Sequence, residues 1–301
     1  MKLSELLLKT GFIFTIKVDS EFKYLGMATS QFNDFGVLSF LADSKYFNDV
    51  INNRNISSVI TTDEIYQSNI SFPSHLGIII ADNPKQLFYN VHNFLSSSDF
   101  YWKHFPTEID PSSVISKNAI ISGNSVKIGQ NCTIEDNVVI NEGVQIGDNT
   151  IIRSGTIIGS NGFQFLNTGV VVTQVTSSGK VVIGNNVEIQ HNCCVDRGVL
   201  GGNTIVHDWV KVDNFVHLAH DCVIGDRTLI TAGVKFGGRT VVGKDCWIGI
   251  NATISNGLVI GDGATVSLGS VVTRNVNPGD TVTGNFAIDH VKFLQNLKNI
   301  R

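Results

Sequence analysis

The stretch VHDWVKVDNFVHLAHDCVIGDRTLITAGVKFGGRTVV, residues 206–242, carries a large apolar residue at every sixth position. The same phase continues without a slip to residue 277, with apolar residues at Val206, Val212, Leu218, Ile224, Ile230, Phe236, Val242, Ile248, Ile254, Ile260, Val266 and Val272. A helix repeats near 3.6 residues and an exposed strand near 2, so a strict period of six predicts hexapeptide rungs of a parallel β-helix. Each rung is a short strand and a turn, and its apolar side is buried only when successive coils stack.

A second slot of the repeat, four positions after each large apolar residue, is filled in most cases by a small or β-branched residue. Four of the five cysteines lie in this slot, and the fifth, Cys194, is next to one of them; the four are Cys132, Cys193, Cys222 and Cys246. This placement predicts reduced thiols that pack in the interior, in preference to disulfides, metal ligands or a nucleophile.

The repeat does not run evenly through the chain. It begins at Ile109 and slips by one residue between Ile121 and Ile128, is lost over residues 164–182, and breaks again over 200–203. Insertions into a solenoid emerge as loops on one face, where binding commonly occurs. With three rungs per coil, residues 109–277 predict about nine coils.

The chain divides into three predicted parts. Residues 1–100 lack the repeat and predict a small α/β domain, 101–286 the β-helix, and 287–301 a C-terminal helix that caps the last coil or packs at an oligomer axis. Within the first part the predicted helices are Lys2–Lys9, Ser44–Asn52 and a helix opened by Asn83-Pro84 and ending at Leu95, and the predicted strands are Ser57–Thr62 and Gly77–Ala81.

Composition excludes several classes of function. The 301 residues are 42% hydrophobic and 16% charged, as in folded domains. A net charge of -4 gives no electrostatic footprint for nucleic acid, and no Lys/Arg block indicates a membrane-surface helix. The N-terminal apolar run is too short for a secretory signal and no stretch predicts a membrane span, so we expect a cytoplasmic protein.

One histidine-rich segment of the repeat contains candidate catalytic residues. It places Asp213, His217, His220 and Asp221 within ten residues. An imidazole beside a carboxylate can act as a general base, because the carboxylate fixes the tautomer and stabilises the imidazolium. Two other interpretations stay open: solvated corner residues without a role, and metal ligands in a trimeric β-helix enzyme of the gamma carbonic anhydrase type. His217 and His220 are three residues apart, whereas the paired histidine ligands of that type are five residues apart, so we predict no metal site.

Four motifs resemble a known family. GSNGFQF (159–165), VDRG (195–198), DNFVHLAH (213–220) and SFLADSKY (39–46) are similar to the N-acyltransferases of lipid A biosynthesis that acylate UDP-3-O-acylglucosamine. The resemblance covers nearly the whole chain, in the same order. It implies a mainly β fold, a homotrimer of left-handed parallel β-helices with an N-terminal uridine-binding domain, and active sites between neighbouring subunits.

The same resemblance implies residue roles. His220 matches the general base, Asp213 its carboxylate partner, and Gly238 a backbone N–H that holds the thioester oxygen. Phe40 and Tyr46 match the aromatic pair that stacks on the nucleotide base. The remaining matches are Asp43 for base contact and Asn214, His217 and Phe163 for substrate binding. The implied mechanism is direct transfer to an amine, with no nucleophilic serine or cysteine and no permanently bound cofactor.

The chain also departs from that family. Asp43 stands where the family usually has Asn, Ser44 replaces Pro, and no histidine follows Asn256-Gly257. The segments CWIGINA (246–252), GSVVTRNV (269–276) and GNFA (284–287) instead resemble hexapeptide acetyltransferases that use coenzyme A.

These features favour an N-acyltransferase that moves an acyl group from acyl-CoA or an acyl carrier protein to a nucleotide-linked amino sugar, for lipopolysaccharide or surface-polysaccharide synthesis. The alternatives are the lipid A enzyme itself, using hydroxyacyl carrier protein, and a non-catalytic solenoid that binds a sugar nucleotide.

Overall fold

The structure, a computed structural model, describes residues 1–29, 35–68, 71–284 and 287–300. The chain separates into two compact units. Unit 1 comprises Met1–Phe105, Asn161–Gly179 and Gly198–Gly202, and unit 2 comprises Pro106–Ser160, Lys180–Arg197 and Asn203–Arg301. Two segments inside the repeat array therefore group with the N-terminal domain. Asn285 and Phe286 of the GNFA segment, the predicted domain end at residue 286, and Arg301 lie outside the described residues.

Unit 1 is an α/β domain, as predicted. Its sheet A has the spatial order Thr15–Val18, Gly77–Ile80, Ile56–Thr61, Val37–Leu41, Tyr24–Leu25, with the first pair antiparallel and the others parallel. Its helices are α1 (Leu3–Thr10), α2 (Phe47–Asn52, preceded by a 3₁₀ turn Ser44–Tyr46), α3 (Asp63–Gln67) and α4 (Pro84–Ser96). The predicted helices and strands of this domain are thus confirmed to within two residues.

Helix α4 begins and packs as its sequence predicts. The Asn83 side chain accepts a hydrogen bond from the Gln86 N–H at 3.0 Å, and Pro84 occupies the first turn, where no N–H is needed. The helix buries an apolar stripe in the core shared with sheet A, formed by Leu87, Phe88, Val91 and Leu95. Burial of this stripe supplies most of the free energy that holds the helix in place.

The inserted segments of unit 1 are tied to α4 by buried polar contacts. Strands Phe165–Asn167 and Val172–Gln174 form an antiparallel hairpin. Beyond the hairpin, His92 Nε2 donates to the Thr176 carbonyl oxygen at 2.6 Å, and the Tyr101 hydroxyl lies 2.6 Å from Nδ1. Because a carbonyl only accepts, Nε2 carries a proton, and in the neutral imidazole Nδ1 accepts from the Tyr101 hydroxyl. Burial lowers the pKa of His92.

Unit 2 is a left-handed parallel β-helix built from three sheets, which confirms the predicted fold class. Sheet B contains Glu108–Ile109, Lys127–Ile128, Val144–Ile146, Lys180–Ile183, Asn203–Val206, Val223–Ile224, Val241–Val242 and Val259–Ile260. Sheet C contains Val114–Ile115, Thr133–Ile134, Ile151–Ile152, Glu188–Ile189, Lys211–Val212, Leu229–Ile230, Trp247–Ile248, Thr265–Val266 and Thr281–Val282. Sheet D contains Ile120–Ile121, Val139–Ile140, Ile157–Ser160, Cys194–Asp196, His217–Leu218, Lys235–Phe236, Thr253–Ile254 and Val271–Val272.

The interior of the β-helix is filled by the residues that the period of six selects. In sheet B, for example, Val206 pairs with Ile224 and Ile224 with Val242, so identical slots stack from coil to coil. The cysteines of the small slot are buried and free, as predicted. Burial raises the pKa of Cys193 to about 11 and that of Cys222 to about 12, which suits packing and not nucleophilic chemistry.

Every break in the repeat lies where the chain passes from sheet D to sheet B, a position we call the D–B corner. The one-residue slip falls between Ile121 and Ile128, residues 161–179 separate Ser160 from Lys180, and a third break follows Asp196. The prediction that insertions emerge on one side of the solenoid is confirmed. The strands on either side of each break keep their register because the extra residues lie outside the ladders.

Helix α5 (His290–Ile300) begins three residues later than the predicted helix at residue 287. The Asp289 side chain accepts hydrogen bonds from the N–H groups of Val291 and Lys292 and so sets the start. Val291 is 61% exposed and Leu294 is 43% exposed, so the expectation that this stripe caps the last coil is wrong for the single chain. None of the described helices combines the length and apolar character that a membrane crossing requires.

Candidate active site

His220 lies at the D–B corner, two residues after the end of strand His217–Leu218, and only 8% of it is exposed. The next residue, Asp221, has a φ of 60° and makes the left-handed turn into sheet B. Its carboxylate lies 2.8 Å from His220 Nδ1. Because a carboxylate accepts hydrogen bonds, Nδ1 carries a proton, and in the neutral ring Nε2 keeps its lone pair. This is the tautomer that a general base with a reactive Nε2 requires.

Gly238 occupies the same corner one coil later and packs against the imidazole of His220. A Cβ built on Gly238 would lie 2.6 Å from both Cε1 and Nε2 of the ring, closer than carbon atoms pack. The following residue, Arg239, donates its N–H to the His220 carbonyl oxygen at 2.9 Å and fixes the spacing of the two coils. Among the described residues, the Gly238 N–H has no hydrogen-bond acceptor. The structure therefore brings together the predicted base and the predicted oxyanion donor.

A second imidazole–carboxylate pair lies on the outer side of sheet D. His217 Nε2 donates to Asp196 Oδ2 at 3.0 Å, and the Ser160 hydroxyl donates to Asp196 Oδ1 at 2.7 Å. Asp196 is only 5% exposed, whereas the side chain of His217 is 39% exposed. The carboxylate thus orients the half-exposed His217, and among the described residues its Nδ1 has no hydrogen-bond partner.

Asp213 follows strand Lys211–Val212 of sheet C, so it lies on the other side of sheet D from His220. Its Oδ1 accepts from the backbone N–H and the side-chain amide of Asn214 at 2.7 and 2.8 Å. Asn214 in turn accepts a hydrogen bond from the His191 N–H. A shallow depression on sheet C is lined by Asp213, Gln190 and Thr231, among others. Within the single chain, the pairing of Asp213 with His220 expected from the family resemblance is not formed.

The carboxylate that does contact His220, that of Asp221, could have been predicted from the sequence. Asp221 belongs to the histidine-rich segment, but the resemblance directed attention to Asp213 as the partner. The carboxylate of Asp196 was missed, although it lies in the VDRG motif, because its contact with His217 joins strands on two coils separated by an insertion. A repeat period alone does not predict contacts across such a break.

The residues predicted to bind the nucleotide lie in unit 1. Phe40 is half-buried, with its ring 5.1 Å from that of Phe88, as in an ordinary aromatic core. Tyr46 is 51% exposed, with the Lys45 ammonium 4.8 Å from its ring centre. The hydrogen bond between the Lys45 side chain and Asp43 holds the pKa of Asp43 below its usual range. Asp43 and Tyr46 therefore share one exposed turn, and a ring stacking on that turn would meet Tyr46 directly.

Phe163, predicted to bind substrate, is also in unit 1 and is 87% exposed. Its only ring contact among the described residues is with Phe165, at 4.9 Å. An aromatic side chain this exposed is free to contact a ligand, and its role stays a prediction.

Comparison with known proteins supports the repeat assignment. The family model described as "Bacterial transferase hexapeptide (six repeats)" matches residues 125–160 and 239–274. Among solved structures, UDP-N-acetylglucosamine acyltransferase of Francisella novicida aligns over 57% of this chain and 63% of its own, at 24% identity with a TM-score of 0.46. A likeness at this level carries no argument about function.

Curated relatives share one name. "UDP-3-O-acylglucosamine N-acyltransferase 2" of Legionella pneumophila (strain Paris) is 49% identical over 130 residues, which is 43% of this chain and 38% of the relative. "UDP-3-O-acylglucosamine N-acyltransferase" of Shewanella denitrificans is 44% identical over 144 residues, which is 48% of this chain and 42% of the relative. The protein of the same name from Janthinobacterium sp. (strain Marseille) is 33% identical over 126 residues, which is 42% of this chain and 36% of the relative.

The chain thus covers only about two fifths of the length of each of these relatives. The chain carries hexapeptide repeats and, over 42–48% of its length, is similar to the UDP-3-O-acylglucosamine N-acyltransferases, which confirms over that part the resemblance predicted from its motifs.

Proposed function

We propose that this protein is an N-acyltransferase that transfers an acyl group from a thioester to the amino group of a nucleotide-linked sugar. The observation that carries the proposal is the arrangement at the D–B corner, where Asp221 holds the imidazole of His220 and Gly238 packs against the same ring. The acceptor that the relatives' names favour is UDP-3-O-acylglucosamine. The donor that the motif resemblance implies for this acceptor is a hydroxyacyl carrier protein.

The reaction follows from the geometry of that corner. The sugar amine attacks the thioester carbonyl carbon, the C–N bond forms, and His220 Nε2 takes the amine proton. The carbonyl oxygen gains negative charge and accepts the Gly238 N–H. Collapse of this intermediate breaks the C–S bond, and the imidazolium returns the proton to the leaving thiolate. Asp221 is a positioning residue, because it holds the tautomer and stabilises the imidazolium without contacting substrate.

A test compares His220→Ala with His207→Ala in the full chain. His207 is an exposed histidine of the same β-helix and serves as the matched control. Incubated with UDP-3-O-acylglucosamine and hydroxyacyl carrier protein, His220→Ala is expected to lose about 10²- to 10⁴-fold in rate, whereas His207→Ala retains the wild-type rate. Full activity of His220→Ala would exclude it as the base.

A second candidate is a coenzyme A-dependent sugar-nucleotide N-acyltransferase. It is favoured by the departures at Asp43 and after Asn256-Gly257 and by the C-terminal segments that resemble coenzyme A enzymes. A donor comparison separates the two, since binding of an acidic carrier protein should weaken as salt rises and binding of acyl-CoA needs no protein partner. Transfer from neither donor to any UDP- or dTDP-linked amino sugar would refute the acyltransferase itself.

We also propose that the active form is a homotrimer in which a neighbouring chain brings Asp213 to the site. Support comes from the position of Asp213 across sheet D from His220 and from the half-exposed apolar side chains of sheets B and C, including Trp247 and Val259. Mixed assembly of His220→Ala and Asp213→Ala chains should restore part of the activity that each variant lacks alone. A monomer in light scattering, or no restoration, would contradict the shared site.

A further inference from the structure

Three metal-ligating side chains meet on the outer side of sheet D. Cys194 and His217 are direct partners in adjacent parallel strands, and Asp196 lies two residues beyond Cys194 on the same side. One sulfur, one carboxylate oxygen and one ring nitrogen of these residues all lie within 4.8 Å of one another. From this geometry we propose that Cys194, Asp196 and His217 bind a zinc ion, with a solvent oxygen as the fourth ligand.

The distances suit tetrahedral zinc. Zinc–ligand bonds of about 2.0–2.3 Å place the ligand atoms of a tetrahedron about 3.3–3.6 Å apart. Asp196 Oδ2 is 3.0 Å from His217 Nε2, and Asp196 Oδ1 is 3.5 Å from Cys194 Sγ. These two distances involve different oxygens of the Asp196 carboxylate, so side-chain rotation must turn one oxygen toward both the sulfur and the ring nitrogen, and ligand atoms of the three residues already lie within 4.8 Å of one another.

The electrostatics also favour a cation. The carboxylate of Asp196 is buried, and among the described residues it pairs with no lysine or arginine; its partners are a hydroxyl, a thiol and an imidazole. A buried carboxylate is costly unless positive charge compensates it. With a thiolate from Cys194, a carboxylate and a neutral imidazole, Zn²⁺ makes the site electrically neutral. Binding releases the thiol proton to solvent and moves the imidazole proton from Nε2 to Nδ1 through solvent, so that the sulfur and Nε2 each present a lone pair to the metal.

The surroundings supply the other features of a three-ligand zinc site. The Ser160 hydroxyl donates to Asp196 and orients its carboxylate, as residues behind metal ligands commonly do. The half-exposed His217 leaves one side of the cluster open to solvent, which accounts for the fourth ligand. No metal site was predicted from the sequence, because His217 and His220 were considered as a pair of ligands and their spacing of three residues does not suit such a pair. These two histidines turn out to contact different carboxylates, Asp196 and Asp221.

The test uses metal ions alone and does not require acyl transfer. The full chain is stripped with a chelator and titrated with Zn²⁺ and Co²⁺, and bound zinc is measured after equilibrium dialysis. We expect about one zinc per chain, a thiolate-to-cobalt absorption band, and a higher unfolding temperature with zinc. Cys194→Ser should abolish the band, and Ser160→Ala should weaken zinc binding by about 10- to 100-fold.

His207→Asn, which changes an exposed histidine away from the cluster, should bind zinc as the wild type does. Unfolding of each variant in chelator separates loss of a ligand from loss of the fold. The absence of saturable zinc binding by the folded wild-type chain would overturn the proposal. A cobalt–thiolate band that persists in Cys194→Ser would do so as well.

Discussion

The contact between Gly238 and the imidazole of His220 predicts a large effect from one added methyl group. In Gly238→Ala the new Cβ would lie 2.6 Å from Cε1 and Nε2, and ordinary contact begins near 3.4 Å. The ring must therefore retreat by about 1 Å, because carbon atoms pack best at about 3.5–4.0 Å. The φ of Gly238 is not in the left-handed region, so alanine meets no backbone strain there. Any effect of Gly238→Ala therefore comes from the contact between the new Cβ and the His220 ring.

Two quantities should change together. Overpacking costs about 1–3 kcal/mol of unfolding free energy, and displacing a reacting group by about 1 Å costs about 10²-fold in rate. Urea unfolding followed by circular dichroism measures the first and acyl transfer the second. Gly123→Ala is the control, since Gly123 lies at the same corner of the first coil with nothing within 4 Å of its added Cβ.

The double variant Gly238→Ala/His220→Ala tests the cause. Without the ring the new methyl group has room, so the stability cost of Gly238→Ala should largely disappear in the His220→Ala background. If Gly238→Ala alone unfolds like the wild type and transfers at full rate, the reasoning is refuted, because the ring then does not depend on the glycine.

Three further predictions address other parts of the molecule. Asp221→Asn keeps the left-handed turn but removes the charge at His220, so kcat should fall about 10²-fold or more with KM unchanged; an unchanged kcat would deny Asp221 its positioning role. Phe236 is 1% exposed in the β-helix, and Phe236→Ala should lower the unfolding free energy in urea by about 3–5 kcal/mol.

The third prediction concerns His92. Burial of this side chain lowers its pKa from the usual value of 6.5. The unfolded chain then binds the proton more readily, so stability is full above about pH 6.5 and declines as pH falls below it. Thermal unfolding of the wild type from pH 7.5 to 5 should show this decline, and His92→Gln should show less of it; equal pH dependence would contradict the assignment.

The period of six was enough to predict the coils, because a stacked rung has one inward slot and its occupant is visible in the sequence. It also placed the breaks, since any insertion disturbs the phase. The period also bears on the partner of His220, because it excludes Asp213 within one chain but does not by itself identify Asp221. Asp213 precedes His220 by seven residues, one side of a coil plus one residue, which puts the two on consecutive corners. The contact between His217 and Asp196 spans a break of irregular length, so counting residues did not predict it.

The confinement of every irregularity to the D–B corner has a consequence for how such a protein can diversify. The other two edges of the prism repeat without interruption, and they alone are enough to keep the ladders in step. A lineage can therefore lengthen, shorten or exchange segments at the one permissive edge while the supporting framework stays the same. Changes of ligand then need no redesign of the scaffold.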